Sequence, residues 1–191
     1  MTDSLSLFPL GTVLFPGGTL KLRIFEPRYL DMVSRCLREG TGFGVALIVE
    51  GREAGGPTRT ARVGTLARIV DFEQLSDGLL GITARGESRF RIVSTACRSD
   101  GLNTAVVEWL GEEAALSVPL EMTVLTELVK QAGISPGNAP GAPRFDDASW
   151  VGMHLAQLLP LTLPERQRCL EMNDALERLQ FLRERLDIRH H

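Results

Sequence analysis

The sequence predicts an α+β fold, with a β-rich half over residues 1–110 and a helical half over residues 111–191. Three observations predict it. Residues 20–24 alternate Leu and Ile with Lys21 and Arg23, the period of two that marks a half-buried strand. One helix-like stretch, opened by Pro27 and closed by Gly40, interrupts a series of short apolar runs. Beyond Gly111 the apolar spacing changes to three and four and stays there.

Taken in order, Leu5 and Leu7 and then Val13-Leu14-Phe15 read as short strands bounded by Pro and Gly, and Leu20 to Ile24 as a third. Pro9 and Pro16 lack a backbone donor and belong at strand ends or edges. Pro27 suits a first helical turn, where its missing N–H costs nothing and its φ is already helical. Leu30, Val33 and Leu37 share a face of that helix, with Tyr29 and Cys36 beside it. Glu26 and Asp31 near one end, with Arg35 and Arg38 near the other, complement the helix dipole.

Phe43 to Val49 is almost continuously apolar, which predicts a strand buried on both faces. The Gly-rich stretch Gly51 to Thr60 reads as a loop. Arg62 to Leu75 and Leu79 to Ala84 flank Ser76-Asp77-Gly78 and predict a hairpin. Arg89 to Cys97 and Thr104 to Leu110 read as two further strands, the first with Phe90 and Ile92 on one face and Arg89 and Arg91 on the other.

In the second half, Val118 to Ala132 predicts a helix striped by Val118, Met122, Leu125, Leu128 and Val129. Gly133 to Arg144, rich in Pro and Gly, reads as a long mobile loop. Helices follow from Asp146-Asp147 to about Leu159, from Pro164-Glu165 with Thr162 or Leu163 near the cap, and over residues 174–187. The last is striped by Leu176, Leu179, Leu182 and Leu186, and carries an Asp174–Arg178 pair worth roughly 0.2–0.5 kcal/mol. Glu112-Glu113 reads as a solvated linker. The domain expectation is a β subdomain, 1–110, with a helical subdomain, 111–191, packed on it.

Composition bounds the function. The apolar share is 43%, the charged share 24% and the net charge -3, ordinary values for a globular protein. Residues 1–110 hold 13 Lys+Arg against 12 Asp+Glu, a net of +1, and residues 111–191 hold 8 against 12, a net of -4. This gives no general attraction to nucleic acid or anionic membrane. Cys36, Cys97 and Cys169 are odd in number and show no CxxC or Cys/His spacing, which argues against zinc and for free thiols in a reducing cytoplasm. The start, MTDSLSLFPL, has neither the basic region nor the long apolar core of a signal peptide, and no run reaches the roughly 18 apolar residues of a membrane span.

A succession of short motifs then carries a resemblance. Leu7-Phe8-Pro9-Leu10 and Leu14-Phe15-Pro16-Gly17 come first, followed by Phe25-Glu26-Pro27-Arg28-Tyr29 and Phe43-Gly44-Val45. Val63 to Ile69, Asp77-Gly78, Gly86 and Arg89-Phe90-Arg91-Ile92 complete the first half. Leu159-Pro160-Leu161 and Glu165 to Glu171 extend it through the second. In order and spacing, over roughly residues 5–187, they resemble the N-terminal, substrate-binding domain of Lon protease.

The resemblance implies a PUA-like β pseudo-barrel with one inserted helix, followed by a helical bundle. It also implies a bacterial, cytoplasmic recognition module for protein or peptide segments, with a protease as a candidate partner. A similar β-rich module occurs in a eukaryotic ubiquitin-ligase substrate receptor. Lon protease itself continues into an ATPase and a Ser-Lys protease. This sequence has no GxxxxGK[ST] loop, and neither Lys21 nor Lys130 lies in a protease context. The expectation is therefore a non-catalytic module without metal or cofactor.

Candidate peptide-binding residues are Phe25, Glu26, Arg28 and Tyr29 at the strand-to-helix corner, with Arg89 and Phe90. Each has a structural alternative. Tyr29 can pack, Arg28 can pair with a carboxylate to lock the helix to the barrel, and Arg89 and Arg91 can form a solvated strand face. Gly86-Glu87-Ser88-Arg89 reads as a tight strand connection or a nucleophile-like turn, and Asp146-Asp147 as a cap or paired carboxylates. His154 reads as a boundary residue more readily than a catalytic one. The competing functions are RNA binding through a PUA-like barrel, disfavoured because Lys and Arg form no cluster, and a small-molecule regulatory pocket.

Overall fold

The computed structural model describes residues 2–53, 59–133 and 143–187. They fall into two compact units, Met1–Gly111 and Glu112–His191.

The first unit holds β1 (Thr2–Leu10), β2 (Thr19–Ile24), α1 (Pro27–Glu39), β3 (Phe43–Glu50), β4 (Arg59–Thr60), β5 (Val63–Gln74), β6 (Leu80–Cys97) and β7 (Asn103–Trp109). The strand order is β1-β7-β6-β5-β3-β4, and β1 also pairs with β3, so five strands close a circuit. The β1–β3 pair is parallel, with Leu7 opposite Gly44, and the other pairs of the circuit are antiparallel.

β6 is 18 residues long and serves two structures. Its second half belongs to the circuit, opposite β7. Its first half, with β2 on one side and the end of β5 on the other, makes a three-stranded ribbon.

Alternation sorts the side chains. Phe8 and Leu10 of β1 join a core with Tyr29, Met32, Val33 and Cys36 of α1. Leu5 and Leu7 point the other way, into a cluster with Phe90, Ile92 and Val107. Helix α1 starts at Pro27 and ends at Gly40, whose φ of 64° is the left-handed cap that glycine adopts without strain. β3 is buried from Phe43 to Leu47, but Val49 is 47% exposed, so only the first part of the apolar run lies between two layers.

Two expectations for this unit are corrected. Val13-Leu14-Phe15 is a buried loop rather than a strand. It can be buried because its polar groups find partners away from any ladder. The Leu14 carbonyl accepts from Thr65 Oγ1 at 2.6 Å, and the Phe15 carbonyl from Gly18 N–H at 2.9 Å. Gly86 is not a connection between two strands but lies inside β6. The Phe15 carbonyl sits where a Cβ on Gly86 would be, so the glycine marks a close backbone approach. Gly17 N–H donates to the Gly86 carbonyl, and Gly86 N–H to that of Gly18, both at 2.9 Å.

The second unit holds a 3-10 turn (Leu120–Met122), α2 (Thr123–Gln131), α3 (Ala148–Leu158), α4 (Leu163–Glu171) and α5 (Ala175–Asp187). The helix expected from Val118 begins later because Pro119 and the 3-10 turn precede it, and Ser117 instead bridges to Asp147. Asp147 caps α3, its carboxylate accepting from Trp150 N–H at 3.0 Å, which gives the Asp146-Asp147 pair a structural role. Thr162 and Glu165 form a capping box on α4. Most of the loop expected over residues 133–144 lies outside the described residues.

Arg178 corrects two more expectations. It does not pair with Asp174, whose carboxylate instead accepts from the N–H groups of Leu176 and Glu177. Arg178 is fully buried and bonds Glu113 through both carboxylate oxygens, at 2.6 and 2.8 Å. It also donates to the carbonyls of Cys169 and Met172. Glu113 is therefore a buried anchor and not a solvated linker.

Candidate functional site

The strand-to-helix corner brings together four of the six expected residues. Glu26 is the N-cap of α1, and Arg28 bonds its carboxylate at 2.8 Å. Arg28 also donates to the Gly101 carbonyl at 2.7 Å, which ties α1 to the β6–β7 turn, and its guanidinium lies 4.7 Å from the centre of the Tyr29 ring. Tyr29 is 3% exposed and stacks on Phe8 with centroids 3.9 Å apart. Burial pushes the Tyr29 hydroxyl pKa up, with the Arg28 charge opposing that shift.

Three of these four side chains are thus engaged in holding the fold. Phe25 differs, being 60% exposed immediately after β2. A shallow depression lined by Glu26, Pro27, Arg28, Asp100 and Gly101 adjoins the corner.

Arg89 and Phe90 lie elsewhere, in β6, and both are buried. Phe90, expected among the peptide contacts, is fully buried and meets Trp109 edge to face at 6.2 Å. Arg89 is 5% exposed, so the basic strand face is reduced to Arg91.

What sequence reasoning missed is the apolar face of the ribbon. Cross-strand partners share a face, and the registers align Leu20 with Ala84 and Ile69, and Leu22 with Ile82 and Phe72. The inner part of this face packs on the core through Leu20, Leu22, Ile69 and Leu80. Its outer part does not, for Phe72 is 59% exposed; Val70, unpaired at the β5 bulge, is also exposed. The opposite face is polar and aligns Lys21 with Thr83 and Asp71. The period-2 pattern announced the two faces but not how far the ribbon extends beyond what covers it.

A cleft of about 530 Å³ opens between the start of β1, the end of α1 and the middle of β5. Arg35 enters it, donating to Ser6 Oγ at 3.5 Å. Arg68 is held by Glu87 at 2.8 Å and by the Gly40 carbonyl at 2.6 Å.

Cys36 and Cys169 are buried, and Cys97 is exposed. Burial pushes the thiol pKa of Cys36 up and that of Cys169 up to about 11. His154 is buried, stacks on Trp150 at 3.8 Å and places Nδ1 2.8 Å from the Trp150 carbonyl. Among the described residues no group of three or more His, Cys, Asp or Glu could hold a metal, and no helix is long and apolar enough to cross a membrane.

Comparison with known proteins adds to this geometry. A Lon N-terminal domain protein from Xanthomonas campestris superposes with a TM-score of 0.80 at 38% identity, over 94% of this chain and 96% of that one. The N-terminal domain of a Mycobacterium avium complex Lon protease shares the fold at a TM-score of 0.66 and 20% identity. Lon protease of Flavobacterium johnsoniae is 27% identical over 94% of this chain and 23% of its own length. Protein cereblon of Gallus gallus is 30% identical over 67% of this chain and 28% of its own length. The chain spans about a quarter of the length of these curated relatives. The model of the ATP-dependent protease La (LON) substrate-binding domain matches residues 4–187, nearly all of both units, and the chain belongs to that family.

Proposed function

We propose that this protein is a non-catalytic recognition module that binds segments of other polypeptide chains, unfolded ones or a partner's, and presents them to a proteolytic system in the cytoplasm. The observation that carries this reading is the uncovered outer part of the ribbon's apolar face, where Phe72, in register with Ile82 and Leu22, is 59% exposed; Phe25 is separately exposed just after β2. An exposed apolar surface rimmed by charged residues suits polypeptide side chains better than it suits phosphates. Several arginines of this unit are already paired, Arg23 with Asp77, Arg59 with Glu50, Arg68 with Glu87 and Arg98 with Asp100, which reduces the basic surface open to RNA. The family match supports the same reading, since its model describes a substrate-binding domain.

The test is a fluorescence-anisotropy titration of a reduced, alkylated and therefore permanently unfolded protein with the full chain. Phe72→Ser and Phe25→Ser should each weaken binding severalfold without lowering the melting temperature. Equal affinity of both variants and the parent would remove the ribbon from the reading, and no binding by the parent would end it.

A further inference from the structure

The start of β1 is an open sheet edge, and its geometry follows from the strand registers. β1 pairs with β7 from Thr2 to Leu7 on one side, but with β3 only from Leu7 to Leu10 on the other. Phe8 and Pro9 are both in register with β3, opposite Val45 and Ala46. Arg98 N–H donates to the Leu102 carbonyl in the β6–β7 register, so Asn103, Ala105 and Val107 face β1 and bond Leu7, Leu5 and Asp3, and the β1 donors toward β3 are those of Phe8 and Leu10. By the two-residue period of a strand, the N–H and C=O of Ser4 and the N–H of Ser6 face the same side, before β3 begins at Phe43. Among the described residues these groups have no protein partner. They line the 530 Å³ cleft.

The cleft also carries an unmatched charge. Asp3 is engaged by Trp109 Nε1, and Arg68 by Glu87. Glu39 lies 3.9 Å from Arg38. Arg35 makes no ion pair among the described residues, and its one hydrogen bond, to Ser6 Oγ, is long at 3.5 Å.

We infer that the cleft takes an extended polypeptide segment as an added strand on β1, with an acidic side chain of that segment meeting Arg35. A row of free donors and acceptors spaced by the strand period is complementary to another backbone and to little else. The single unpaired cation beside the row selects for a carboxylate, and the ladder itself is indifferent to sequence. The inference rests on the polypeptide-recognition reading and gives it a second, backbone-reading site separate from the ribbon face.

The probe is a fluorescein-labelled ten-residue peptide of alternating Val and Thr with a central Glu, titrated against the full chain. Ser4→Pro removes an N–H that the β1–β7 ladder does not use, and it should weaken binding at least tenfold with little change in melting temperature. Arg35→Gln should weaken the Glu peptide several times more than its Gln counterpart. N-methylating the amides along one edge of the peptide should abolish binding to the unaltered protein, a readout that does not depend on either variant folding. Affinity insensitive to N-methylation, or to both substitutions, overturns the inference. So does a dimer of this chain that Ser4→Pro dissolves and the peptide does not. If the unfolded client protein still binds and neither substitution affects it, the recognition reading stands and the added strand falls. If the client does not bind at all, both fall.

Discussion

Arg28 and Arg178 hold their respective units together with the same chemistry under different solvation. Arg28 bonds one carboxylate and one carbonyl and leans on Tyr29, and its side chain is 17% exposed. Arg178 bonds both oxygens of Glu113 and two carbonyls, and its side chain is fully excluded from water. A partly solvated arginine contributes modestly, because water replaces what a substitution removes. A desolvated pair contributes to specificity of structure more than to net stability, and breaking it leaves a buried charge alone. The first unit should therefore tolerate loss of its arginine lock and the second should not.

The largest effect is expected for Arg178→Ala, which strands the Glu113 carboxylate. It should cost the second unit about 3–5 kcal/mol. Each unit holds one tryptophan, Trp109 in the first and Trp150 in the second, so a Trp109→Phe background reports the second unit alone in a denaturant titration. The double variant Arg178→Met, Glu113→Leu should recover most of the loss. Failure to recover would mean that the hydrogen bonds to Cys169 and Met172, and not the charge pair, hold α5.

Gly152 sharpens the contrast. A Cβ there would lie 3.1 Å from Arg178 Cδ, and four hydrogen bonds keep that side chain from moving aside. Gly152→Ala should therefore destabilise the second unit by about 1 kcal/mol, at the low end of overpacking costs, despite the better helix propensity of alanine. In the Arg178→Met, Glu113→Leu background the clamp is gone, and the same substitution should become neutral or stabilising. A change of equal sign in both backgrounds would show that the glycine serves something other than the arginine.

Arg28→Ala should cost the first unit only about 1 kcal/mol, read from Trp109 in a Trp150→Phe background. The Gly101 carbonyl lies at a turn that water can reach, whereas the Glu113 carboxylate does not. A loss as large as that of Arg178→Ala would cancel the comparison between the two locks.

The sequence made one of these locks legible and hid the other. Glu26, Arg28 and Tyr29 are neighbours in the chain, and Pro27 announces the helix start that groups them, so a fold-locking corner could be read directly. Glu113 and Arg178 are 65 residues apart, and the i,i+4 spacing to Asp174 offered a local partner that the helix cap had already taken. The only local hint was Gly152 inside an apolar helix. Gly86 misled in the same way, because glycine marks a turn and a close approach alike, and only the Phe15 carbonyl decides between them. Elements, alternation and caps were legible because they depend on neighbours. The burial of Arg89 and Phe90 and the exposed reach of the ribbon depend on what packs above them, which no window of sequence contains.

The smallest expected effect separates the units by pH. Burial holds the His154 pKa below the ordinary 6.5, against a smaller opposing effect from the Trp150 carbonyl. Well above pH 6.5 the imidazole is neutral in both the folded and the unfolded chain, and this residue adds no pH dependence. As the pH falls below 6.5 the unfolded chain takes up the proton first, so the stability of the second unit declines. The slope is at most about 1.4 kcal/mol per pH unit, and it ends where the folded imidazole also becomes charged. Glu165 titrates in a separate window. The Thr162 hydrogen bonds of the α4 capping box hold its pKa below the ordinary 4.5, so its stabilising contribution is lost only at lower pH. Melting curves of the second unit between pH 5 and 7.5 should therefore show a decline that His154→Phe flattens, since phenylalanine can keep the stack on Trp150 but cannot be protonated. The first unit, followed through Trp109 and with no histidine among its residues, should show no such decline. An equal slope in both units would assign the effect to carboxylates common to the whole chain rather than to the one buried imidazole.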